Sequence, residues 1–297
     1  MPDNDLSASL SDNGIGKGGK TVLITGGAGG IGKELAGYFA RDGYDIILVD
    51  RALKDLEKAK KSLSSVNPDI RIMLMVQDLT LPEAADSVYE FTRNHGFRVN
   101  VLVNCAGFGT YGFLHDIDRD RELDMLQLHI LTLYKMTRIY LKEMIGRNEG
   151  QIINFSSISA FQPNPCFATY GASKSFVLQF SRALNFELKE KKLNVKVMAV
   201  CPTAVKGTGF QASAGMERTR TFSSWMAVTA ETVARDTYGA MGSGKDVVIP
   251  GRGFGLLHCL ICRLPTQWLM RISRSQLKEV RETEFKRMFR SSVDKRM

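Results

Sequence analysis

Short runs of β-branched and apolar residues recur along this chain. Each is followed by a longer stretch in which apolar positions return every three or four residues. That alternation is the pattern of βαβ units on a parallel sheet. "KTVLIT" (20–25) is apolar and bounded by glycines, and predicts a buried strand. In 31–43, Ile31, Leu35, Tyr38 and Phe39 share one helical face, and Gly43 supplies a stop. "DIILVD" (45–50) is the second strand, 53–66 a Lys-rich surface helix, and "IRIMLMV" (70–76) the third strand. A helix over 81–95 precedes "VNVLVN" (99–104), the fourth strand. A long helix then runs from Asp118 to Arg147, followed by strand 150–157 and helix 167–190. Strands over 194–200 and 245–249 complete the series. With no internal repeat and no linker-like break before about residue 250, the expected fold is one α/β domain. It is a doubly wound, Rossmann-type parallel sheet over 20–250, with a flexible polar arm at 1–19 and a basic, partly apolar helical tail at 251–297.

Composition changes this picture in one place. The 297 residues are 44% hydrophobic and 24% charged, as expected of a globular chain with a substantial core. The net charge is +9, but eleven Lys/Arg against four Asp/Glu between Arg252 and Met297 put +7 of it in the tail. The basicity therefore says little about the main domain's ligand, and no nucleic-acid reading motif accompanies it. Five scattered cysteines and an N-terminal segment without an apolar stretch predict a reducing cytoplasm rather than a disulfide framework. Cys259-x-x-Cys262 has no second pair to complete a zinc site, so no metal is expected.

The first chemistry lies between strand one and helix one. In "TGGAGGIGKE" (25–34), Gly26 permits a tight turn, and Gly30 and Gly32 let the backbone approach a pyrophosphate. The helix N-terminus would then offer free N–H groups and its positive dipole to that anion. Asp50 ends the second strand, where a carboxylate can accept both ribose hydroxyls of NAD and repel the 2′-phosphate of NADP. Arg51 pulls the other way, since a guanidinium can hold that phosphate. The expected cofactor is NAD, with NADP as the alternative.

A Tyr/Lys pair four residues apart, Tyr170 and Lys174, is by itself only one helix face. Taken with the segments upstream, it resembles the short-chain dehydrogenase/reductase family over about residues 20 to 250. Thr25-Gly26-x-x-x-Gly30-Ile31-Gly32 fits that family's phosphate loop. Asn104-Cys105-Ala106-Gly107 looks like its "NNAG" element, which steadies the sheet and lines the adenosine side. Asp78-Leu79 falls where the family contacts adenine, and Ser157 lies thirteen residues before Tyr170-x-x-x-Lys174. Within the family, 150–184 and "VVIPG" look similar to the bacterial dehydrogenases known as DltE-like.

The resemblance implies an NAD(P)(H)-dependent oxidoreductase interconverting a secondary alcohol and a ketone. Tyr170 would be its acid/base, Ser157 would hold the reacting oxygen, and Lys174 would lower the phenol's pKa and bind the nicotinamide ribose. A phenol near pKa 10 is a poor base at neutral pH, and lowering that by about 3 takes roughly 4 kcal/mol. Lys174 and an oxidised nicotinamide are the two cations expected to supply it.

Two positions depart from the family. His129 stands where an asparagine usually positions a water of the proton relay. It is either a helix residue without a role or an imidazole replacing the amide as donor and acceptor. In "CPTAVKGTGF" (201–210), Pro202 is kept but Thr203 and Ala204 replace Gly-Pro, and Val205 stands near the usual threonine. Backbone contacts from this segment to the nicotinamide carboxamide are expected to survive. Together the departures motivate a second reading, a catalytically weak dinucleotide-binding sensor or scaffold.

Beyond that segment, 209–228 mixes Phe210, Met216, Phe222, Trp225 and Met226 into a polar loop, as expected of a lid over an apolar substrate. Surplus apolar residues on helices 118–147 and 167–190 predict a homodimer, or a homotetramer. In the tail, Phe254 to Leu264 is too short to span a bilayer. Pro265 interrupts it, and Trp268, Leu269 and Ile272 resume an apolar face flanked by Arg263, Arg271 and Arg274. This segment either lies on an anionic membrane surface, peripherally at the inner face, or packs on its own domain and closes the substrate cleft.

Overall fold

The computed structural model describes residues 19–256 and 263–277. The polar arm up to residue 18, Cys259, Cys262 and the basic end of the tail beyond Leu277 lie outside the described residues.

Seven parallel strands form the sheet: β1 (Thr21–Thr25), β2 (Asp45–Asp50), β3 (Ile72–Val76), β4 (Val99–Asn104), β5 (Gly150–Phe155), β6 (Val195–Val200) and, after the two-residue pair β7 (Val205–Lys206) and β8 (Val228–Thr229), β9 (Val247–Val248). Their order across the sheet is β3-β2-β1-β4-β5-β6-β9. The chain leaves β1 towards β2 and β3 on one side, then crosses back to β4 on the other. That reversal opens a crevice at the carboxyl ends of β1 and β4, where such sheets bind ligands.

Both sheet faces are covered, so the strand interiors are apolar throughout instead of alternating. Val22, Ile24, Leu48 and Val103 meet α1 (Gly30–Arg41), α2 (Leu53–Val66) and the later helix Ala230–Ala240 on one side. Leu23, Ile47, Leu102 and Ile152 meet α3 (Ala84–Asn94), α5 (Leu133–Gly146) and α6 (Ala168–Glu190) on the other. Phe39 of α1 is fully buried, with the ring of Tyr238 edge-on at 5.0 Å. Truncating so enclosed an aromatic costs about 3–5 kcal/mol.

Two expectations are corrected in detail, and one helix is added. Strand 150–157 stops at Phe155; Ser156 still donates its N–H to the Val200 carbonyl at 2.7 Å, and Ser157 follows it beside the crevice. The long helix 118–147 is α4 (Arg119–Leu126), a π-helical turn Gln127–Thr132 and α5. Helix Ala230–Ala240 was not predicted, although Thr229 caps it by accepting from Thr232 N–H at 3.1 Å.

Candidate active site

The β1–α1 turn is built from glycines because the space is already taken. Gly26 has φ +67°, and a Cβ on Gly32 would sit 2.3 Å from the Gly26 carbonyl oxygen. Helix α1 starts at Gly30 with no side-chain cap and no acidic residue in its first turn. Its N-terminus therefore faces the crevice uncompensated, which suits a phosphate.

Asp50 braces this loop: its carboxylate accepts Ala28 N–H at 3.2 Å and Arg51 N–H at 2.8 Å. The strand-end role and a ribose-binding role are compatible: Oδ1 also accepts Ala52 N–H at 3.4 Å, but Oδ2, which accepts Ala28 N–H, keeps a lone pair for a hydroxyl. Asp78 accepts from both the backbone N–H and the hydroxyl of Thr80, at 2.9 and 2.7 Å. The backbone bond chiefly, with a smaller contribution from the Arg51 charge, holds its carboxyl below the usual range.

One cavity of about 400 Å³ runs from this loop into the domain. Gly26, Gly30, Ile31, Gly32, Asp50, Arg51, Asp78, Leu79, Ala106, Gly107, Pro202, Thr203 and Val205 all line it, as do Ser157, Tyr170 and Lys174. Thr25, Asn104 and His129 do not. Thr25 Oγ1 instead accepts the N–H groups of Cys105 and Ala106 at 3.0 and 3.2 Å, tying the loop after β4 to β1. The Asn104 amide donates to Asn154 Oδ1 at 2.9 Å and Thr137 Oγ1 at 3.2 Å, joining β4, β5 and α5. Both residues support the cleft from behind the lining residues.

Ser157, Tyr170 and Lys174 meet on the cavity wall, all buried. Tyr170 stacks on Phe167 with ring centroids 4.1 Å apart and meets Phe210 edge-on at 5.5 Å. The Lys174 ammonium donates to the Phe155 carbonyl at 3.1 Å and lies 5.7 Å from the centre of the Tyr170 ring. Burial pushes the Tyr170 phenol up to about 12 despite a hydrogen bond with Ser157, and pushes Lys174 down to about 8. The expected lowering of the phenol is thus not supplied by the protein's own groups. Desolvation outweighs the Ser157 hydrogen bond here.

Beyond Tyr170 the cavity becomes apolar. Phe167, Phe210, Met216 and Phe222 wall it, with Phe108 and Leu277. The 209–228 segment is thus a cover, pinned by Thr203 Oγ1 donating to the Met226 carbonyl at 2.5 Å and by the β7–β8 pair. Trp225 faces outward, against Phe254. Sequence reasoning missed Phe108, Leu128, Phe155, Phe167, Thr208 and Leu277 as wall residues; no local pattern sets them apart from core.

The tail helix Thr266–Gln276 packs on this domain. Leu269, Ser273 and Leu277 are buried, while Trp268 and Ile272 are exposed. Tyr111 Oη donates to the Leu277 carbonyl at 2.6 Å and Thr221 Oγ1 to the Gln276 carbonyl at 2.8 Å. The packing alternative for the tail therefore holds for this helix, and its outer face stays open. No helix among the described residues is long and apolar enough to cross a membrane, and no cluster of metal-ligating side chains occurs among them.

The sequence model of the short chain dehydrogenase family matches residues 20–219. Among curated relatives, hydroxysteroid dehydrogenase-like protein 1 of Gallus gallus is 34% identical over 181 residues, 60% of this chain and 54% of that protein. The chain thus matches little more than half the length of that relative. A very-long-chain 3-oxoacyl-CoA reductase of Anas platyrhynchos is 28% identical over 271 residues, covering 89% of this chain and 81% of its own. Among solved structures, a short-chain dehydrogenase from Sphingobium yanoikuyae in complex with NADPH superposes with a TM-score of 0.71 at 26% identity. That match covers 83% of this chain and 96% of the other. The chain belongs to the short chain dehydrogenase family, a family of oxidoreductases.

Proposed function

We propose that this protein is an NAD(P)(H)-dependent oxidoreductase interconverting a secondary alcohol and a ketone on a largely apolar substrate. The observation that carries this reading is one continuous cavity lined by the glycine loop, by Ser157, Tyr170 and Lys174, and by Phe167, Phe210 and Phe222. A small polar substrate would leave Phe167, Phe210 and Phe222 without contact, whereas a fused-ring or long-chain carbonyl compound would cover them. The relatives' names fit that class: one is a hydroxysteroid dehydrogenase-like protein, the other a very-long-chain 3-oxoacyl-CoA reductase.

The glycine loop, Asp50 and Arg51 would hold the cofactor's adenosine half, with Asp78, Leu79, Ala106 and Gly107 beside it. Pro202, Thr203 and Val205 would face the nicotinamide, and Lys174 its ribose. We favour NAD over NADP on the Asp50 carboxylate, against the pull that the Arg51 guanidinium would exert on a 2′-phosphate. When bound, the nicotinamide accepts or supplies the hydride. Tyr170 exchanges the proton with the substrate oxygen, and Ser157 donates a hydrogen bond to that oxygen as charge develops. The oxidised ring's positive charge would add the field that Lys174 alone does not provide.

The finer assignments belong to the same proposal: domain limits at 20–250, the DltE-like subgroup, a homodimer or homotetramer, and a cytoplasmic protein peripheral at a membrane through its tail. Purified protein, both cofactors and a panel of apolar ketones and alcohols test the central claim. Turnover should vanish in Tyr170→Phe and Lys174→Ala, while cofactor binding persists in Tyr170→Phe. Tight cofactor binding without turnover across the panel would instead favour the sensor or scaffold reading, which the 201–210 departure supports.

A further inference from the structure

His129 lies in the π-helical turn between α4 and α5, 1% exposed, with no wall of the cavity to its name. Its Nδ1 is 2.9 Å from Ser173 Oγ, and that hydroxyl donates its one proton to the Tyr170 carbonyl at 2.7 Å. The imidazole must then be the donor to Ser173, which fixes the Nδ1–H tautomer and leaves Nε2 as a bare acceptor. Among the described residues, Nε2 is one of two buried side-chain polar atoms without a hydrogen-bond partner. A native interior rarely leaves such an atom unmet without a use.

The nearest use is Lys174. A Cβ built on Gly107 would lie 2.8 Å from His129 Nε2 and 3.5 Å from Lys174 Nζ. Both nitrogens therefore border the space that the glycine leaves open. The ammonium carries three hydrogens, and the Phe155 carbonyl takes one. The other titratable groups around Lys174 are Tyr170 on its own helix, Cys105 after β4 and Cys201 after β6. Burial pushes both thiols up to about 12, so neither is an anion that could replace a neutral acceptor. Burial, and then the Lys174 charge, push the imidazole well below its usual pKa, which keeps the Nε2 lone pair free.

We propose that His129 is a positioning residue: Nε2 accepts a hydrogen bond from the Lys174 ammonium, directly or through one water, and so keeps the lysine charged and aimed at Tyr170. This rests on the oxidoreductase reading for its consequence but not for its geometry. The asparagine of the family pattern is thereby replaced by a ring that can only accept at this point.

The test uses the full chain. Ring 15N NMR should show His129 as the Nδ1–H tautomer, unprotonated across the range in which exposed histidines titrate. In His129→Phe the Lys174 amine, followed by side-chain NMR, should titrate about one pH unit lower, because a charged donor loses its partner. His129→Gln, whose amide oxygen reaches a similar depth, should restore most of it. Turnover of 1-phenylethanol with NAD should fall roughly tenfold in kcat in His129→Phe, with KM within about twofold. An Nε2–H tautomer, or a folded His129→Phe with the lysine titration unmoved, would overturn the inference. A parent protein inert towards every alcohol would count against the oxidoreductase reading instead, and the two titrations would still decide this one.

Discussion

Tyr170 and Lys174 share one dry pocket, and burial moves them in opposite directions, to about 12 and about 8. At neutral pH the phenol therefore holds its proton, the form that can protonate a ketone oxygen. The lysine stays charged below about 8 and loses its charge above it. Reduction should thus run at a level rate on the acid side and decline as pH rises through that value. Oxidation needs the phenolate, so its rate should climb with pH. Initial rates in both directions from about pH 6 to 10 check this, and oxidation running fastest at the acid end would contradict it. Asp50 raises a second question at this scale, because it both braces the loop and faces the cavity. NAD(H) should bind more tightly than NADP(H), and Asp50→Ala should narrow the ratio. Loss of the bonds from Ala28 and Arg51 will weaken both cofactors, so the ratio, not either affinity, is the measure. Equal or inverted affinities in the parent would mean that Arg51 prevails.

Among the elements, the tail helix brings one residue, Leu277, to the cavity wall from far along the chain. It begins directly after Pro265, whose fixed φ suits a helix start, and turns Leu269, Ser273 and Leu277 inward at helical spacing. Ser273 Oγ donates to Asn164 Oδ1 at 3.0 Å, fastening the helix beside the Tyr170 segment. Leu277→Asp should raise KM for apolar substrates about tenfold or more, since a carboxylate would replace an apolar wall, and leave cofactor affinity unchanged. A KM that stays put would remove Leu277 from the substrate wall. The outward face keeps Trp268 59% and Ile272 42% exposed beside Arg271. Salt-sensitive association with anionic vesicles, lost on truncation after Gly251, is expected on that account. Indifference to such vesicles at low salt would leave packing as the helix's one role.

Legibility differed between elements for physical reasons. Strands β1, β2 and β4 could be read to within a residue because burial on both faces demands unbroken apolar runs. The end of β5 could not, because "NFSS" carries no stop; the strand ends where its neighbours do. The glycine loop, Ser157, Tyr170 and Lys174 were legible from spacing. The partners of Thr25 and Asn104, the Cys105 and Ala106 N–H groups and Asn154, were not legible, because they are long-range and leave no local trace. Leu277 reaches the cavity from more than a hundred residues beyond Tyr170, which no periodicity reports.

At the scale of the molecule, what remains is apolar surface that the monomer does not use. Of the residues expected to be in surplus, Leu128, Leu133 and Val177 are buried in the domain's own core. Leu131 is 51% exposed, and Tyr134, Phe176 and Phe186 also stand out from α5 and α6. Phe176 stacks on Phe180 at 5.6 Å, and Phe180 meets Tyr134 at 5.8 Å, so three of these rings form one continuous patch across the two helices. Contiguous aromatic surface of this kind is uncommon on a monomer and is what interface centres are made of. A two-fold axis beside the patch would set α5 and α6 against their own copies, and one self-complementary face closes a dimer without leaving a further edge. α6 also carries Tyr170 and Lys174, so the contact would stiffen the helix that aims them. We therefore expect a homodimer by light scattering at micromolar concentration. Leu131→Glu with Phe176→Glu should shift it to monomer, since each places a charge on the exposed apolar surface of these helices. A parent protein that is monomeric under those conditions would refute the assignment.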